Sequence, residues 1–291
     1  MKPAAFEYYD PMTLVEALDL LAQLGEGARV LAGGQSLVPM MNFRLVRPSH
    51  LVDLNRVGEL RYLRVENGGL RIGAMTRQRE LERSAVVAEG WPLLRELTRH
   101  IGHVQIRTRG TVGGSLAHAY PSAELPLAMI TLEAEFLLRS RKGERTVRAE
   151  DFFVTYMTTV LEPSELLVEI RIPPVPPRTG WAFQEVSRRH GDFALVGVAA
   201  LLTLDEGGVI RRARLAFTGP TPVRRAKAEE LLVSERPGKD LFHEATGLAV
   251  QDLEQDTDIH ASADYRREVA GVLARNVLEQ AAGRALGGGK S

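Results

Sequence analysis

The 291-residue chain contains no cysteine. This absence excludes disulfides, thiolate zinc sites, a cysteine nucleophile and any thiolate-held iron–sulfur cluster carried by the chain itself. Redox chemistry here would have to rest on an organic cofactor. Net charge is missing as well: Lys plus Arg and Asp plus Glu number 37 each. No large positive field is therefore available to attract nucleic acid or an anionic membrane surface. No apolar stretch reaches the ~18 residues that a spanning helix needs. The opening "MKPAAFEYYDPMT" lacks the apolar core of a secretory signal. These absences predict a cytoplasmic protein without a transmembrane segment or a nucleic-acid partner.

Hydrophobic residues make up 44% of the chain and charged residues 25%, the balance of a globular protein long enough for about two domains. The N-terminal region reads as strand, helix, strand. "FEYYD" is extended, and "TLVEALDLLAQLG" places Leu14, Leu18 and Leu21 at helical spacing behind Thr13 as N-cap, with Gly25 as the stop. "ARVLAGG" and "HLVDL" read as short buried strands, so residues 1–58 predict a small α/β unit. In 59–176, "ENGGL" marks a hairpin, helical patterns cover 77–84 and 91–101, and strands are predicted at "AEFLLRS", "ERTVRAEDFF" and "ELLVEIRIP". "PPVPPRTG" has the composition of a stiff linker and sets a boundary between 176 and 177. Beyond it, runs separated by "HGD" and "DEGG" predict a three-stranded antiparallel meander, and three helices follow at 224–234, 239–251 and 264–284.

Two glycine pairs stand out, "AGGQS" at 32–36 and "VGGSL" at 112–116. Each follows an apolar segment and precedes a serine. Glycine pairs permit close backbone approach, so successive N–H groups can converge on one anion, with Ser36 and Ser115 as added donors. Two unrelated tight turns would leave the same spacing, and spacing alone does not choose between them. No G-x-G-x-x-G follows a strand, and the C-terminal "GGGKS" has Arg284 where a P-loop needs its first glycine. "RHIGHVQIRTRG" concentrates Arg99, His100, His103, Arg107 and Arg109, readable as a phosphate or partner contact or as a solvated basic face. His100 and His103 lack a completing ligand nearby, so no metal site is predicted. Glu124 reads as a sugar-hydroxyl acceptor or as a helix-start carboxylate capped by Ser122. Phe193 reads as a ring-stacking residue or as the first inward residue of a strand. No catalytic acid–base pair or nucleophile elbow is evident.

The segments "AGGQSLVPMMNFRLVRPSHLVDLNRV", "QIRTRGTVGGSLAHAYPSAELP" and "SRRHGDFALVGVA", in that order, resemble the flavin-binding medium subunit of molybdenum hydroxylases of the carbon monoxide dehydrogenase type. The resemblance spans nearly the whole chain. It implies an α+β protein: an FAD-binding region over 1–176, made of two α/β subdomains of the PCMH type, and a C-terminal domain over 177–291. That domain would hold a three-stranded antiparallel sheet with a three-helix bundle. It implies that Ala32, Gly33, Gly34, Gln35, Ser36 and Leu37, with Thr111, Gly113, Gly114 and Ser115, hold the FAD diphosphate from two sides. Ala117, Ile101, Glu124, Leu167 and Phe193 are carried over as further flavin contacts. Relatives of the xanthine dehydrogenase type have an aromatic residue where Ile101 stands and a lysine where Gln184 stands.

The implied activity is electron relay within an oxidoreductase complex. An iron–sulfur small subunit and a molybdopterin-binding large subunit would be the partners, in a dimer of heterotrimers that touches a membrane only peripherally. The residues also leave open a stand-alone flavin oxidase or reductase of this fold, and a non-catalytic scaffold module.

Overall fold

A computed structural model describes residues 1–287. Residues 288–291, which carry most of the "GGGKS" tail, lie outside the described residues. Strands β1 (Glu7–Tyr9), β2 (Ala28–Leu31) and β3 (His50–Asp53) alternate with helices α1 (Leu14–Leu24) and α2 (Leu37–Asn42). Strands β4 (Leu63–Glu66) and β5 (Gly69–Gly73) are followed by helices α3 (Gln78–Arg83), α4 (Ala85–Gly90), α5 (Pro92–His100), α6 (Val104–Arg109), α7 (Val112–His118) and α8 (Glu124–Thr131). Next come β6 (Glu135–Ser140), β7 (Gly143–Arg148), α9 (Ala149–Phe152), β8 (Phe153–Thr155), β9 (Thr158–Thr159) and β10 (Leu166–Ile172). The remainder holds β11 (Thr179–Val186), β12 (Val196–Leu204), β13 (Ile210–Phe217), β14 (Val223–Arg224), α10 (Ala226–Leu232), α11 (Lys239–Gln251) and α12 (Ala263–Leu286).

The chain forms two compact units, each assembled from three segments. The first comprises 1–83, 103–120 and 133–173, and the second 84–102, 121–132 and 174–291. The first unit contains a parallel sheet of order β1-β3-β2 and a five-stranded sheet of order β4-β5-β10-β6-β7. Thr13 caps α1 reciprocally with Glu16, a capping box that satisfies two donors the helix start would otherwise leave open. Gly25 then ends the helix at φ 58°. Leu14, Ala17, Leu18 and Leu21 form the buried stripe of α1. They pack with Val52, Leu54, Met75, Leu166 and Val168 in one core. Asn67 and Gly68 both have positive φ, 52° and 77°, which gives β4–β5 the two-residue hairpin turn that matches the strand twist.

In the second unit β12 lies between β11 and β13. Its residues "VGVAALLTL" are buried except for Thr203. Such a continuous apolar strand needs cover on both faces. Helices α11 and α12 pack with the face carrying Val198, Ala200, Leu202 and Leu215, and α8 also contacts β12 and β13. The antiparallel sheet has a fourth, two-residue strand, β14, beyond the three predicted. It forms because the chain turns back after Phe217 and pairs Val223 with that residue. Gly180 lets α12 approach β11, since a Cβ there would lie 1.8 Å from the Ala281 carbonyl oxygen.

Substituting Gly180→Ala is expected to destabilise the protein by about 3 kcal/mol, because backbone rather than a flexible side chain must move. Gly247→Ala, on α11 with nothing within 4 Å of the new carbon, should instead stabilise by about 0.5–1 kcal/mol. Urea denaturation of the two variants checks both signs.

Candidate cofactor site

The first glycine pair lies in the loop from β2 to α2, and its two members do different work. Gly34 adopts φ 74°, a backbone conformation that other residues enter at a cost of about 1–2 kcal/mol. Its carbonyl accepts the Val38 N–H at 3.1 Å, which starts α2. Gly33 is buried, and a Cβ there would sit 2.5 Å from the Arg109 carbonyl oxygen and 2.7 Å from Gly110 Cα. Gly33 is therefore needed for close approach rather than for φ. Gln35 Nε2 folds back to the Gly33 carbonyl at 3.1 Å. The backbone N–H groups of Gly33, Gly34, Gln35, Ser36 and Leu37 have no acceptor among the described residues. Neither has the Ser36 hydroxyl, and the loop is only half buried.

The second glycine pair is not a turn. Thr111 caps α7 by accepting the Gly114 N–H on Oγ1 at 3.1 Å, so Gly113 and Gly114 occupy the first turn of that helix. Their amides are already satisfied within the fold. Val112 N–H donates to Thr76 O, Gly113 N–H to Ala74 O and Ser115 N–H to Thr111 O, at 2.9, 2.8 and 3.2 Å. The pair consequently supplies no free-amide nest, and its glycines serve packing. A Cβ on Gly113 would lie 2.5 Å from Ala74 Cβ. One on Gly114 would meet Thr111 Oγ1 at 2.6 Å and Ala32 Cβ at 3.2 Å.

Both motifs thus meet within the first unit. The Gly33 α-carbon abuts the Arg109–Gly110 backbone that leads into α7, and Gly114 faces Ala32. On α7, Ser115 is half buried and Ala117 is exposed. Leu167 is buried on β10, beside a register shift in the β10–β6 pairing. The segments pack so closely that no Cβ fits at Gly33, Gly113 or Gly114, and they carry five N–H groups without an acceptor among the described residues together with the hydroxyls of Ser36 and Ser115. That donor set suits a diphosphate.

The remaining expected residues belong to the second unit. Ile101 is buried as the C-cap of α5. Glu124 is the buried first residue of α8, where a carboxylate suits the helix dipole. The N-cap is Ala123, not Ser122, and it makes no side-chain cap bond. Phe193 is 60% exposed and lies in the β11–β12 connection, outside any strand. It is not the inward strand residue that the alternation suggested, because the connection extends to Leu195 before β12 begins. Gln184 Oε1 accepts from Asn276 Nδ2 at 3.3 Å.

The basic run does not form one solvated face. Arg107 is buried and pairs with Glu82 at 2.8 Å in the first unit. His100, in the second, lies 3.1 Å from Glu185 and 3.7 Å from Glu96, edge-on to Phe183. Its hydrogen bonds to Glu185 and Glu96 raise its pKa to about 9 against the opposing effect of burial. Among the described residues, no group of three or more His, Asp or Glu is placed to hold a metal ion. Sequence reasoning missed Asn55 and Arg77, which bond to the carbonyls of Ala32 and Arg109 respectively. Asn55 stands directly after the buried "HLVDL" strand, a position that could have drawn notice. Nothing local marks Arg77.

Two family models cover most of the chain. One, described as the FAD binding domain in molybdopterin dehydrogenase, matches residues 4–175. The other, the CO dehydrogenase flavoprotein C-terminal domain, matches residues 181–281. The chain belongs to the FAD-binding medium subunits of molybdenum hydroxylases. Among curated members of this flavoprotein family, it is 42% identical to the 6-hydroxypseudooxynicotine dehydrogenase complex subunit alpha of Paenarthrobacter nicotinovorans, over 98% of this chain and 97% of that one. It is 39% identical to the carbon monoxide dehydrogenase medium chain of Hydrogenophaga pseudoflava, over 97% and 98%. A solved carbon monoxide dehydrogenase from that organism superposes with a TM-score of 0.95 at 40% identity, covering 98% of this chain and 99% of its counterpart. As a medium subunit of this family, the chain has FAD as its cofactor and is part of an oxidoreductase. No described helix is long and apolar enough to cross a membrane.

Two outcomes follow from this geometry. In the flavin-free chain, Gly34→Ala is expected to lower unfolding free energy by about 1–2 kcal/mol, and Gly34→Asn by less, since Asn tolerates that φ better. Because the folded pKa of His100 lies above its ordinary 6.5, its contribution is complete below about pH 6.5 and fades as pH rises through about 9. Denaturation midpoints measured from pH 6 to 10 should fall less steeply in His100→Gln than in the native protein.

Proposed function

We propose that this chain is the electron-transfer subunit of a molybdenum hydroxylase complex, receiving electrons from iron–sulfur clusters of a small subunit and passing them to an external acceptor. FAD, when bound, supplies a centre able to take electrons singly and release them in pairs. The observation that carries the reading is the loop of five open backbone N–H groups, Gly33 to Leu37, held against the start of α7.

In this reading the loop amides and the hydroxyls of Ser36 and Ser115 hold the FAD diphosphate. Ala32, Gln35, Thr111, Gly113 and Gly114 shape the cradle, while Ala117 and Leu167 border the cofactor. Ile101, Glu124 and Phe193 remain proposed flavin contacts. Absence of cysteine fits the division of labour, because this chain need hold no cluster. In this reading the chain divides into an FAD-binding region over 1–176 and a C-terminal domain over 177–291, supported by the gap between the two family matches. A molybdopterin-binding large subunit completes the proposed assembly, a cytoplasmic dimer of heterotrimers.

The test uses the full-length chain reconstituted with FAD. Flavin absorbance should survive gel filtration, and replacing both Ser36 and Ser115 by alanine should weaken FAD binding about tenfold or more with the melting temperature of the flavin-free chain unchanged. Flavin bleaching by substrate should require the small and large subunits. Unaltered FAD affinity in the double variant would remove the cradle, and turnover of an organic substrate by the isolated chain would remove the relay.

A further inference from the structure

We propose that Arg77 and Asn55 are positioning residues of the cofactor site, locking the Gly33–Leu37 loop to the entry of α7. The inference rests on the cradle reading above and assigns work to two residues outside both glycine motifs.

Asn55 follows β3 in a short turn that Asp53 fixes: Asp53 Oδ1 accepts the Asn55 backbone N–H at 2.8 Å and its Nδ2 at 2.5 Å. Tyr8 OH anchors the other oxygen of Asp53 at 2.6 Å. So oriented, Asn55 Nδ2 also donates to the Ala32 carbonyl at 2.9 Å, directly before the glycine pair. Its amide oxygen accepts from Arg77 at 2.6 Å. The other terminal nitrogen of Arg77 donates to the Arg109 carbonyl, the same oxygen that Gly33 approaches too closely to carry a Cβ. The segment bearing Arg77 is itself tied to the α7 entry, through Gln78 N–H to Gly110 O and Val112 N–H to Thr76 O, both at 2.9 Å. One guanidinium thus joins the β3 turn to the entry of α7, and Asn55 carries the link on to the cradle loop.

The Arg77 guanidinium bonds to two neutral acceptors, with the carboxylates of Glu80 and Asp53 near enough to favour its charge. The group is half buried, and burial together with Arg109 and Arg61 pushes its pKa down. The acceptors it finds are an amide oxygen and a backbone carbonyl rather than a carboxylate. A planar fork that reaches two fixed oxygens at once is something lysine cannot reproduce. The arrangement ties the loop of open amides to the segment that leads into α7, on which Ser115 lies.

The experiment compares Arg77→Met, Arg77→Lys and Asn55→Ala in the full-length, flavin-depleted chain, titrated calorimetrically with FAD, ADP and riboflavin. A positioning role requires Arg77→Met to weaken FAD and ADP about tenfold or more, with riboflavin affinity unchanged. Arg77→Lys should restore less than half of that loss on a logarithmic scale, and Asn55→Ala should reproduce it. A proportional loss for all three ligands, full rescue by lysine, or native FAD affinity would overturn the inference. If Arg77→Met does not fold, Asn55→Ala decides by the same criterion. Should the Ser36/Ser115 double alanine variant weaken FAD while Arg77→Met and Asn55→Ala do not, the positioning role fails and the cradle stands. If none of these variants weakens FAD, both fail.

Discussion

Backbone meets backbone at Gly33, and the architecture of the first unit depends on that contact. The Arg109 carbonyl and Gly110 Cα occupy the space where any other residue would place its Cβ. A second approach, of Gly113 to Ala74, seats α7 against the segment after β5. The first contact joins stretches nearly eighty residues apart in the chain, and the second joins stretches about forty apart. Hydrogen bonds from Val112, Gly113 and Gln78 then fasten the junction. With the second glycine pair committed to packing, the first is the pair whose amides remain without an acceptor among the described residues. Close packing and binding capacity are therefore not competing explanations of the glycines. The one is the means of the other.

The second unit is organised by different physics. An apolar central strand, β12, is covered on both faces, and the charges that remain inside are paired. Buried Glu229 accepts the Leu215 N–H at 2.9 Å and the Arg224 guanidinium, with Arg214 at 3.6 Å. His100 joins α5 to β11 through Glu185. Buried ionisable groups are tolerable when their hydrogen bonds are nearly complete; Glu229 ties α10 to β13 and β14, and His100 ties a helix from the middle of the chain to β11. A chain with no net charge can thus hold strongly directional electrostatics where the fold requires it.

Local chemistry was the most legible part of the sequence. The Thr13 N-cap, the Gly25 stop, the Asn67–Gly68 turn and the 239–251 helix all depend on residues within a few positions of one another. Short helices were harder to read. α6 and α7 have too few residues for a periodic pattern, and two glycines in the first turn of α7 imitate a loop. Phe193 reads as strand by its neighbours, yet the β11–β12 connection runs past it. Arg77 carries no local mark at all, because its two acceptors, on Asn55 and Arg109, are set by distant segments.

By itself, the sequence determined the secondary elements with strong caps or turns, the exclusion of cysteine chemistry, and, through three ordered motifs, the flavoprotein family. These are matters of residue type and short spacing. Only the tertiary structure decided which glycine serves φ and which serves contact, which amides remain open, and that α5 and α8 pack in the same compact unit as the C-terminal sheet. The physical reason is the same in each case. Whether a backbone donor is free, or a Cβ has room, depends on which remote atoms arrive beside it, and no spacing along the chain records their arrival.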